Sequence, residues 1–167
     1  MRKVLFIFLA VLMLLTGCTP AAQKTQAPVS FYYIRAEFDY NSADGVIAAE
    51  LRESINCADV NEILELYFRG PDDETLQLPF PTSTELISVE LKDNTAVITL
   101  TDNFSGLTGM NLTLACACIT HTVINLTGAT QVAIKAQTRK LNGQETIIMT
   151  LEDLLLIDSS KVVIDPN

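Results

Sequence analysis

The stretch DVNEILELYFRGP, residues 59–71, is the clearest amphipathic helix in the chain, and the other elements can be placed on either side of it. Asp59 is a preferred N-cap residue with a glutamate three positions on, as in a capping box. Gly70 can take a left-handed cap and Pro71 blocks continuation, so we expect the helix to end at Arg69. Its apolar residues recur at helical spacing and predict one stripe that packs on a sheet. They are Val60, Ile63, Leu64, Tyr67 and Phe68.

Two segments before this helix alternate between apolar and polar residues, which is the pattern of half-buried strands. Residues 31–40 and 46–53 are separated by a turn over 41–45, so we expect them to pair as a hairpin. On the first strand the shared apolar face comprises Tyr32, Ile34, Ala36, Phe38 and Tyr40. On the second strand it comprises Ile47, Ala49 and Leu51.

A second hairpin is expected over 86–101, after a polar, proline-containing loop at 72–85. The residues predicted to share its inward face are Ile87, Val89, Leu91, Ala96, Ile98 and Leu100. A helix over 107–126 follows, and it is apolar nearly all round. Such a helix is buried on several sides, so we expect it in the centre of the domain.

The C-terminal part predicts one more strand pair. Residues 131–137 and 145–149 lie on either side of the tight-turn dipeptide Asn142-Gly143, and a short helix is expected over 151–156. The resulting order is β-β-α-β-β-α-β-β. It predicts an α+β fold, a small mixed sheet with two helices packed on one face.

The N-terminus has the three parts of a bacterial export signal. Arg2 and Lys3 form a basic start, and 5–15 is an uncharged apolar run. That run is shorter than the roughly 20 residues of a membrane-spanning helix. Leu15-Thr16-Gly17-Cys18 then matches the lipobox pattern, in which small residues lead directly into a cysteine. We prefer this interpretation to an uncleaved anchor with an incidental cysteine.

These features define the expected organisation of the chain. Residues 1–17 are a signal peptide, and 18–30 comprise the lipidated Cys18 and a flexible linker rich in small and polar residues. The domain is expected at 31–158 and a tail at 159–167. Two or more acyl chains, such as palmitate, make a stable anchor, so we expect the domain on the extracytoplasmic face of the cell membrane.

The charge of the chain excludes some partners. The formal net charge is −9, and loss of Arg2 and Lys3 leaves nine basic and 20 acidic residues, a net charge of −11. Nucleic acids and anionic membrane surfaces are bound through basic patches, so we expect neither as a partner. The acidity is interpreted as favouring solubility.

The densest group of metal-ligand residue types is Cys116, Cys118 and His121. On a helix a two-residue spacing turns side chains by about 200°, so these groups do not converge. We therefore expect no metal and no cofactor. With Cys18 lipidated, an odd number of cysteines remains, and we interpret them as buried apolar residues. A bridge from Cys57 to one of the other two is the alternative.

Motifs for catalysis are absent from the sequence. No Gly-x-Ser-x-Gly turn or phosphate loop occurs, and no aspartate at helical spacing orients His121. The acidic run Asp72-Asp73-Glu74 lacks the alternate-residue spacing of a calcium loop and is interpreted as a solvated turn. We therefore assign no catalytic residue and expect a protein that is not an enzyme.

The first helix and the hairpin after it resemble the GerMN domain of sporulation and spore-germination lipoproteins. The resemblance covers roughly 31–140. The residues that carry it are Glu65-Leu-Tyr67-Phe68-Arg-Gly70-Pro71, Leu76, Pro81, Leu86, Val89, Asn94-Thr-Ala96-Val97-Ile98-Thr-Leu100-Thr101 and Phe104. Ser83 and Thr99 depart from the family, which often has glycine and usually has aspartate at these positions.

The resemblance implies a domain similar to the ring-building motifs of secretion and sporulation channels, without catalysis. It implies envelope or sporulation proteins as partners, with roles in sporulation, germination or envelope signalling, and it is compatible with oligomerisation. The main hypothesis is an interaction or assembly module. The alternatives are a small-ligand or cell-wall-binding lipoprotein and, third, an enzyme. The outward residues of the second hairpin are the candidate contact residues: Ser88, Glu90, Thr99 and Thr101.

Overall fold

The computed structural model describes residues 28–37, 45–53 and 59–154. Within these ranges the chain forms seven strands and two α-helices. The strands are β1 Val29–Arg35, β2 Ile47–Arg52, β3 Leu76–Gln77, β4 Leu86–Lys92, β5 Thr95–Leu100, β6 Gln131–Ala136 and β7 Ile147–Met149. The helices are α1 Val60–Arg69 and α2 Gly109–Thr127, and a 3₁₀ helix covers Asp102–Gly106. The signal peptide, Cys18, most of the linker, Cys57 and the tail lie outside the described residues.

The α+β class and the two helices are confirmed, and the strands form two sheets. One sheet is antiparallel, with the order β2-β1-β3. The other is mixed, with the order β4-β5-β6-β7, and its central pair β5–β6 is parallel because α2 provides the crossover. The second helix also contacts β1, which belongs to the antiparallel sheet. The Thr122 hydroxyl on α2 accepts a hydrogen bond from the Tyr32 amide, so the helix lies where a neighbouring strand would pair.

The ends of both helices follow from their sequences. The Asp59 carboxylate accepts a hydrogen bond from the Asn61 amide and caps α1 as predicted. Gly70 ends α1 at φ +109°, outside the left-handed helical region that we expected, and its N–H donates to the Tyr67 carbonyl. Gly128 ends α2 in the left-handed conformation, because its positive φ is readily adopted without a Cβ.

The core is built around aromatic side chains contributed by β1, α1, the loop before the second hairpin and the 3₁₀ helix. The rings of Tyr33 and Tyr67 stack with centroids 5.0 Å apart, and Phe31 lies 5.6 Å from Tyr67. Phe80, from the loop before the second hairpin, packs 5.0 Å from Phe68. The apolar stripe predicted for α1 is confirmed, with Ile63 half-buried and Leu64, Tyr67 and Phe68 buried.

The faces predicted for the first hairpin are wrong, although its pairing is confirmed. Phe31 and Tyr33 are fully buried, whereas Tyr32 and Ile34 are half-buried and Ala36 is exposed. On β2, Ala49 and Leu51 are exposed and Ile47 is half-buried. Both faces of β1 are apolar, so alternation could not identify the side that meets α1. Phe38 and Tyr40 lie outside the described residues.

The second hairpin agrees with prediction on β5 and departs from it on β4. Ala96, Ile98 and Leu100 are fully buried, as expected. On β4 the register shifts between Leu86 and Ser88, and Ile87 and Leu91, both predicted to face inward, are exposed. A β-bulge inserts one residue and so changes the alternation of side chains. The loop before the hairpin also contributes the short strand β3, which pairs with the end of β1.

The C-terminal strands form as predicted. Asn142 and Gly143 both have positive φ in the turn between β6 and β7, and β7 pairs antiparallel with β6. Thr150 donates two hydrogen bonds to the Asp153 carboxylate. Residues 151–153 form a turn rather than the start of a helix, and the rest of the predicted helix lies outside the described residues.

Candidate functional site

The four residues predicted for contact lie on or beside one face of the mixed sheet, opposite the core. Ser88 pairs with Thr99, which pairs with Lys135 on β6. Glu90 is exposed, and its carboxylate forms an ion pair with the Lys92 ammonium at 2.8 Å. This contact holds the pKa of the Glu90 carboxyl below its usual range. Ser88, Glu90 and Thr99 therefore share one surface, which we call the outer face.

Thr101 differs from the other three because its hydroxyl has an internal role. It accepts a hydrogen bond of 3.0 Å from the Glu85 amide and approaches the Ser83 carbonyl at 3.4 Å. Asn103 donates to the same carbonyl at 2.8 Å. Thr101 thus holds the segment that leads into β4 against the end of β5.

A row of cross-strand neighbours, apolar apart from Glu90, crosses the outer face and was not predicted from the sequence. Glu90 pairs with Val97, Val97 with Ala133, and Ala133 with Ile148, one residue from each strand of the mixed sheet. Ile148 is 60% exposed and Val97 is half-buried, whereas Ala133 is buried beneath its neighbours. The sequence did contain a signal for this row. On β5 and β6 the positions that alternate with buried residues are polar except at Val97 and Ala133. The outer face is therefore charged at the β4 edge and apolar towards β7.

The cysteines of α2 are buried, and the pKa of each thiol is raised. Burial raises the pKa of Cys116 to about 12, and burial together with the nearby Cys116 raises the pKa of Cys118 further. A thiol in this state is neither a nucleophile nor a ready metal ligand. Within the residues that the structure describes, no three His, Cys, Asp or Glu side chains are placed to hold a metal ion.

His121 packs against the first sheet. Its ring stacks on Tyr32 with centroids 4.6 Å apart and planes 25° apart. Burial lowers the pKa of its imidazole, so the neutral form is favoured. The neighbouring Thr122 binds the Tyr32 amide, and both residues therefore hold α2 against β1. This arrangement indicates a structural role for His121.

A shallow depression of about 830 Å³ lies between β2 and the end of α1. Its charges are largely paired with one another. The Arg52 guanidinium forms an ion pair with Glu50, donates to the Gly70 carbonyl at 2.7 Å, and lies 5.0 Å from the centre of the Phe31 ring. The Asp72 amide donates a hydrogen bond to the Glu50 carboxylate, and the Asp72 carboxylate lies 3.4 Å from the Arg52 guanidinium. The depression is an internally satisfied ion-pair network that joins two elements.

The predicted acidic turn lies at the rim of this depression. Asp72, Asp73 and Glu74 are all exposed, as expected of a solvated turn. The Asp73 carboxylate accepts hydrogen bonds from the hydroxyl and amide of Thr75, which lower the pKa of Asp73. Its oxygens are thus used to shape the loop that leads into β3.

One helix among the described residues has the length and apolar composition of a membrane span, and it is α2. Half of that apolar segment is buried inside the protein, and α2 packs against both β1 and the mixed sheet. A core helix satisfies the same criteria, and the packing of α2 fits that interpretation.

Comparison with known proteins identifies the family. The model of the Germane family, described as sporulation and spore germination, matches residues 30–141. The chain belongs to this family. Two solved structures support the fold of a GerMN domain, both from the sporulation protein GerM of Bacillus subtilis. Each has 14% sequence identity to the chain and a TM-score of 0.55.

The two GerM structures differ in length. The match to the first GerMN domain covers 75% of this chain and 96% of that structure. The match to the tandem-domain structure covers 81% of this chain but only 48% of that structure. The chain thus corresponds to one GerMN domain and spans about half of the tandem pair. A candidate lipoprotein from Clostridium perfringens shares 20% identity over 76% of the chain and 89% of its own length, with a TM-score of 0.40. No curated protein matches the sequence.

Proposed function

We propose that this member of the Germane family is a lipid-anchored, extracytoplasmic contact module that acts in sporulation or germination without catalysing a reaction. The observation that carries the proposal is the outer face of the mixed sheet. Its row of Glu90, Val97, Ala133 and Ile148 combines an ion pair at one edge with an exposed isoleucine at the other. Aromatic and apolar centres with polar rims are typical of protein contact surfaces.

The anchor in this proposal rests on the sequence Leu15-Thr16-Gly17-Cys18. The linker from Thr19 to Pro28 has ten residues, which reach at most about 35 Å when fully extended. The domain would therefore stay close to the membrane surface. Tethering raises the effective concentration for neighbouring membrane proteins, so a modest interface is sufficient for binding.

The alternative function, small-ligand or cell-wall binding, has less support. The shallow depression beside β2 has its arginine paired with Glu50 and with the Gly70 carbonyl. A ligand would have to displace those contacts, and burying the separated charges is costly. The outer face needs no such rearrangement before it meets a partner.

The experiment is photo-crosslinking of the full-length chain in cells, with probes at Ser88 and Thr99 and a matched probe at exposed Thr113 on α2. We expect specific crosslinks to an envelope protein from the first two probes. Glu90→Arg should remove them, whereas Glu65→Arg, a charge reversal on the exposed side of α1, should leave them unchanged. Equal crosslinking from all three probes would reject the outer face. A hydrolase or transferase activity that purifies with the chain and is lost in His121→Ala would reject a non-catalytic function.

A further inference from the structure

Strand β2 forms an edge of the antiparallel sheet, and its hydrogen-bonding groups can be assigned. The Arg35 amide donates to the Val46 carbonyl, whereas the Tyr32 amide donates to Thr122 on the opposite side of β1. Alternate residues of a strand bond to opposite neighbours. In the observed register Ala48 and Glu50 therefore bond to β1. The main-chain groups of Ile47, Ala49 and Leu51 point to the outer edge of β2.

The edge of β2 lacks most of the features by which proteins usually protect such strands. It is six residues long, contains no proline, and pairs with β1 through six residue pairs without a register shift. In contrast, β4 carries a bulge and the exposed charged pair Glu90–Lys92, whereas the charged pair of β2, Glu50–Arg52, is largely buried. The other two sheet edges, β3 and β7, have two and three residues. In residues 28–37, 45–53 and 59–154, β2 is thus the long, regular and unprotected edge.

The side chains of the same residues form an apolar surface. Leu51 is 54% exposed, Ala49 is exposed, and Ile47 is half-buried. The paired residues on β1 are Ser30, Tyr32 and Ile34, which share this face and carry no formal charge. Main-chain donors, main-chain acceptors and apolar side chains are therefore presented together along one strand.

We propose that two copies of this chain associate through antiparallel pairing of β2 with β2 of the second copy. With the two-fold axis at Ala49, the two copies of Ala49 lie opposite each other. Ile47 of each copy lies opposite Leu51 of the other. The outward main-chain groups of these residues then pair with one another. The product is a continuous six-stranded sheet with the order β3-β1-β2-β2-β1-β3. This inference names one partner of the proposed contact module and to that extent rests on that proposal.

Several observations favour a second copy as the partner. The apolar pattern of β2 is self-complementary about Ala49, with a small residue at the axis and larger ones at equal distances from it. The charged residues of the strand, Glu50 and Arg52, pair with each other on the opposite face, so they do not oppose contact between two acidic chains. The net acidity disfavours an anionic membrane surface as the alternative.

The relationship to the GerM structures points the same way. One GerM structure holds two GerMN domains in tandem, and this chain corresponds to one such domain. Pairing of two anchored copies would place two GerMN domains together without a tandem chain. A β-strand interface is small compared with a standard interface of about 800 Å² per partner, so tethering to one membrane would assist it.

The test uses the full-length chain in isolated membranes with Cys57 replaced by serine. A cysteine is introduced by Ala49→Cys and, as a matched exposed control, by Ile148→Cys. Directly paired residues have Cα atoms about 5.5 Å apart, within reach of a short thiol crosslinker. We expect the Ala49→Cys chain to form covalent homodimers at least about tenfold more efficiently than the control, and tenfold corresponds to about 1.4 kcal/mol.

Adding Leu51→Glu to the Ala49→Cys chain should remove most of the dimer, whereas Leu91→Glu, at a leucine of similar exposure, should not. Sedimentation of the chain without introduced cysteines, solubilised in detergent, should show a dimer that Leu51→Glu converts to a monomer. Equal crosslinking of the two cysteines, crosslinking to another protein only, or a monomer in both assays would overturn the pairing. Fatty-acid labelling of the same samples reports anchoring separately, so failure of the dimer is distinguishable from failure of the anchor.

Discussion

The rings of Tyr33 and Tyr67 are stacked, and the hydroxyl of each donates to a main-chain carbonyl of the element that carries the other. The Tyr33 hydroxyl donates to the Tyr67 carbonyl at 3.0 Å, and the Tyr67 hydroxyl donates to the Tyr32 carbonyl at 3.1 Å. Burial raises the pKa of both phenols well above the ordinary value, so both remain donors. This reciprocal arrangement joins the end of α1 to β1.

Removing one of these hydroxyls should destabilise the fold measurably. Tyr67→Phe leaves the half-buried Tyr32 carbonyl without this donor, and an unsatisfied buried polar group costs about 1–3 kcal/mol. We expect a lower urea midpoint with an unchanged denaturant slope. Tyr32→Phe, in a half-buried ring that stacks on His121, should have a smaller effect. Equal midpoints for Tyr67→Phe and the parent chain would show that the bond contributes nothing to stability.

Truncating the apolar stripe of α1 should cost more than truncating its polar side. Phe68 packs against Phe80 and Tyr67, and loss of a buried phenylalanine side chain costs about 3–5 kcal/mol. Phe68→Ala should lower the melting temperature clearly, whereas Glu65→Ala, on the exposed side, should not. Thermal unfolding followed by circular dichroism measures both. Small and equal shifts would contradict the role assigned to the stripe.

Lipidation of Cys18 is predicted from the sequence preceding it. Cys18→Ala removes the sulfur that would carry the thioether, so the chain should leave the membrane fraction or remain unprocessed. Metabolic labelling with a fatty acid should mark the parent chain and not the variant. Label of equal intensity in both would disprove lipidation at this residue. Ser30→Ala, at the start of the domain, serves as the processing control.

The thiols of Cys116 and Cys118 should react only when the chain unfolds. Their raised pKa values keep them protonated at pH 7.5, and their burial blocks access. In a chain with Cys57→Ser, a thiol reagent should label neither residue under native conditions and both in denaturant. Mass spectrometry of labelled peptides distinguishes the two sites. Rapid native labelling at either site would show that α2 is less enclosed than the structure indicates.

His121 should make the stability depend on pH. Burial lowers its pKa in the folded state below the unfolded value of about 6.5. The unfolded chain therefore binds the proton more tightly than the folded chain. The free energy of unfolding accordingly decreases as the pH falls from the unfolded pKa towards the folded pKa. The free energy of unfolding should drop more between pH 7 and pH 5.5 in the parent chain than in His121→Phe. Identical pH profiles would remove this linkage.

Much of the secondary structure was determined by the sequence. The N-cap at Asp59, the apolar stripe of α1, the glycine after α2 and the turn at Asn142-Gly143 are local signals, and the structure has each where it was predicted. Local signals act through main-chain conformation and nearest neighbours, so a single sequence contains them. The family resemblance, drawn from the end of α1 and the hairpin after it, is confirmed by the match over 30–141.

The tertiary structure alone decided which face of a strand is buried and which strands share a sheet. β1 is apolar on both faces, and only the packing of Tyr67 against Tyr33 selects the side that faces the core. β1 and β5 belong to different sheets, and the main-chain amide of Tyr32 donates to Thr122 of α2. The outer face and the open edge of β2 depend on the same choices. These choices involve residues 34 to 90 positions apart, whose proximity is a consequence of the whole fold.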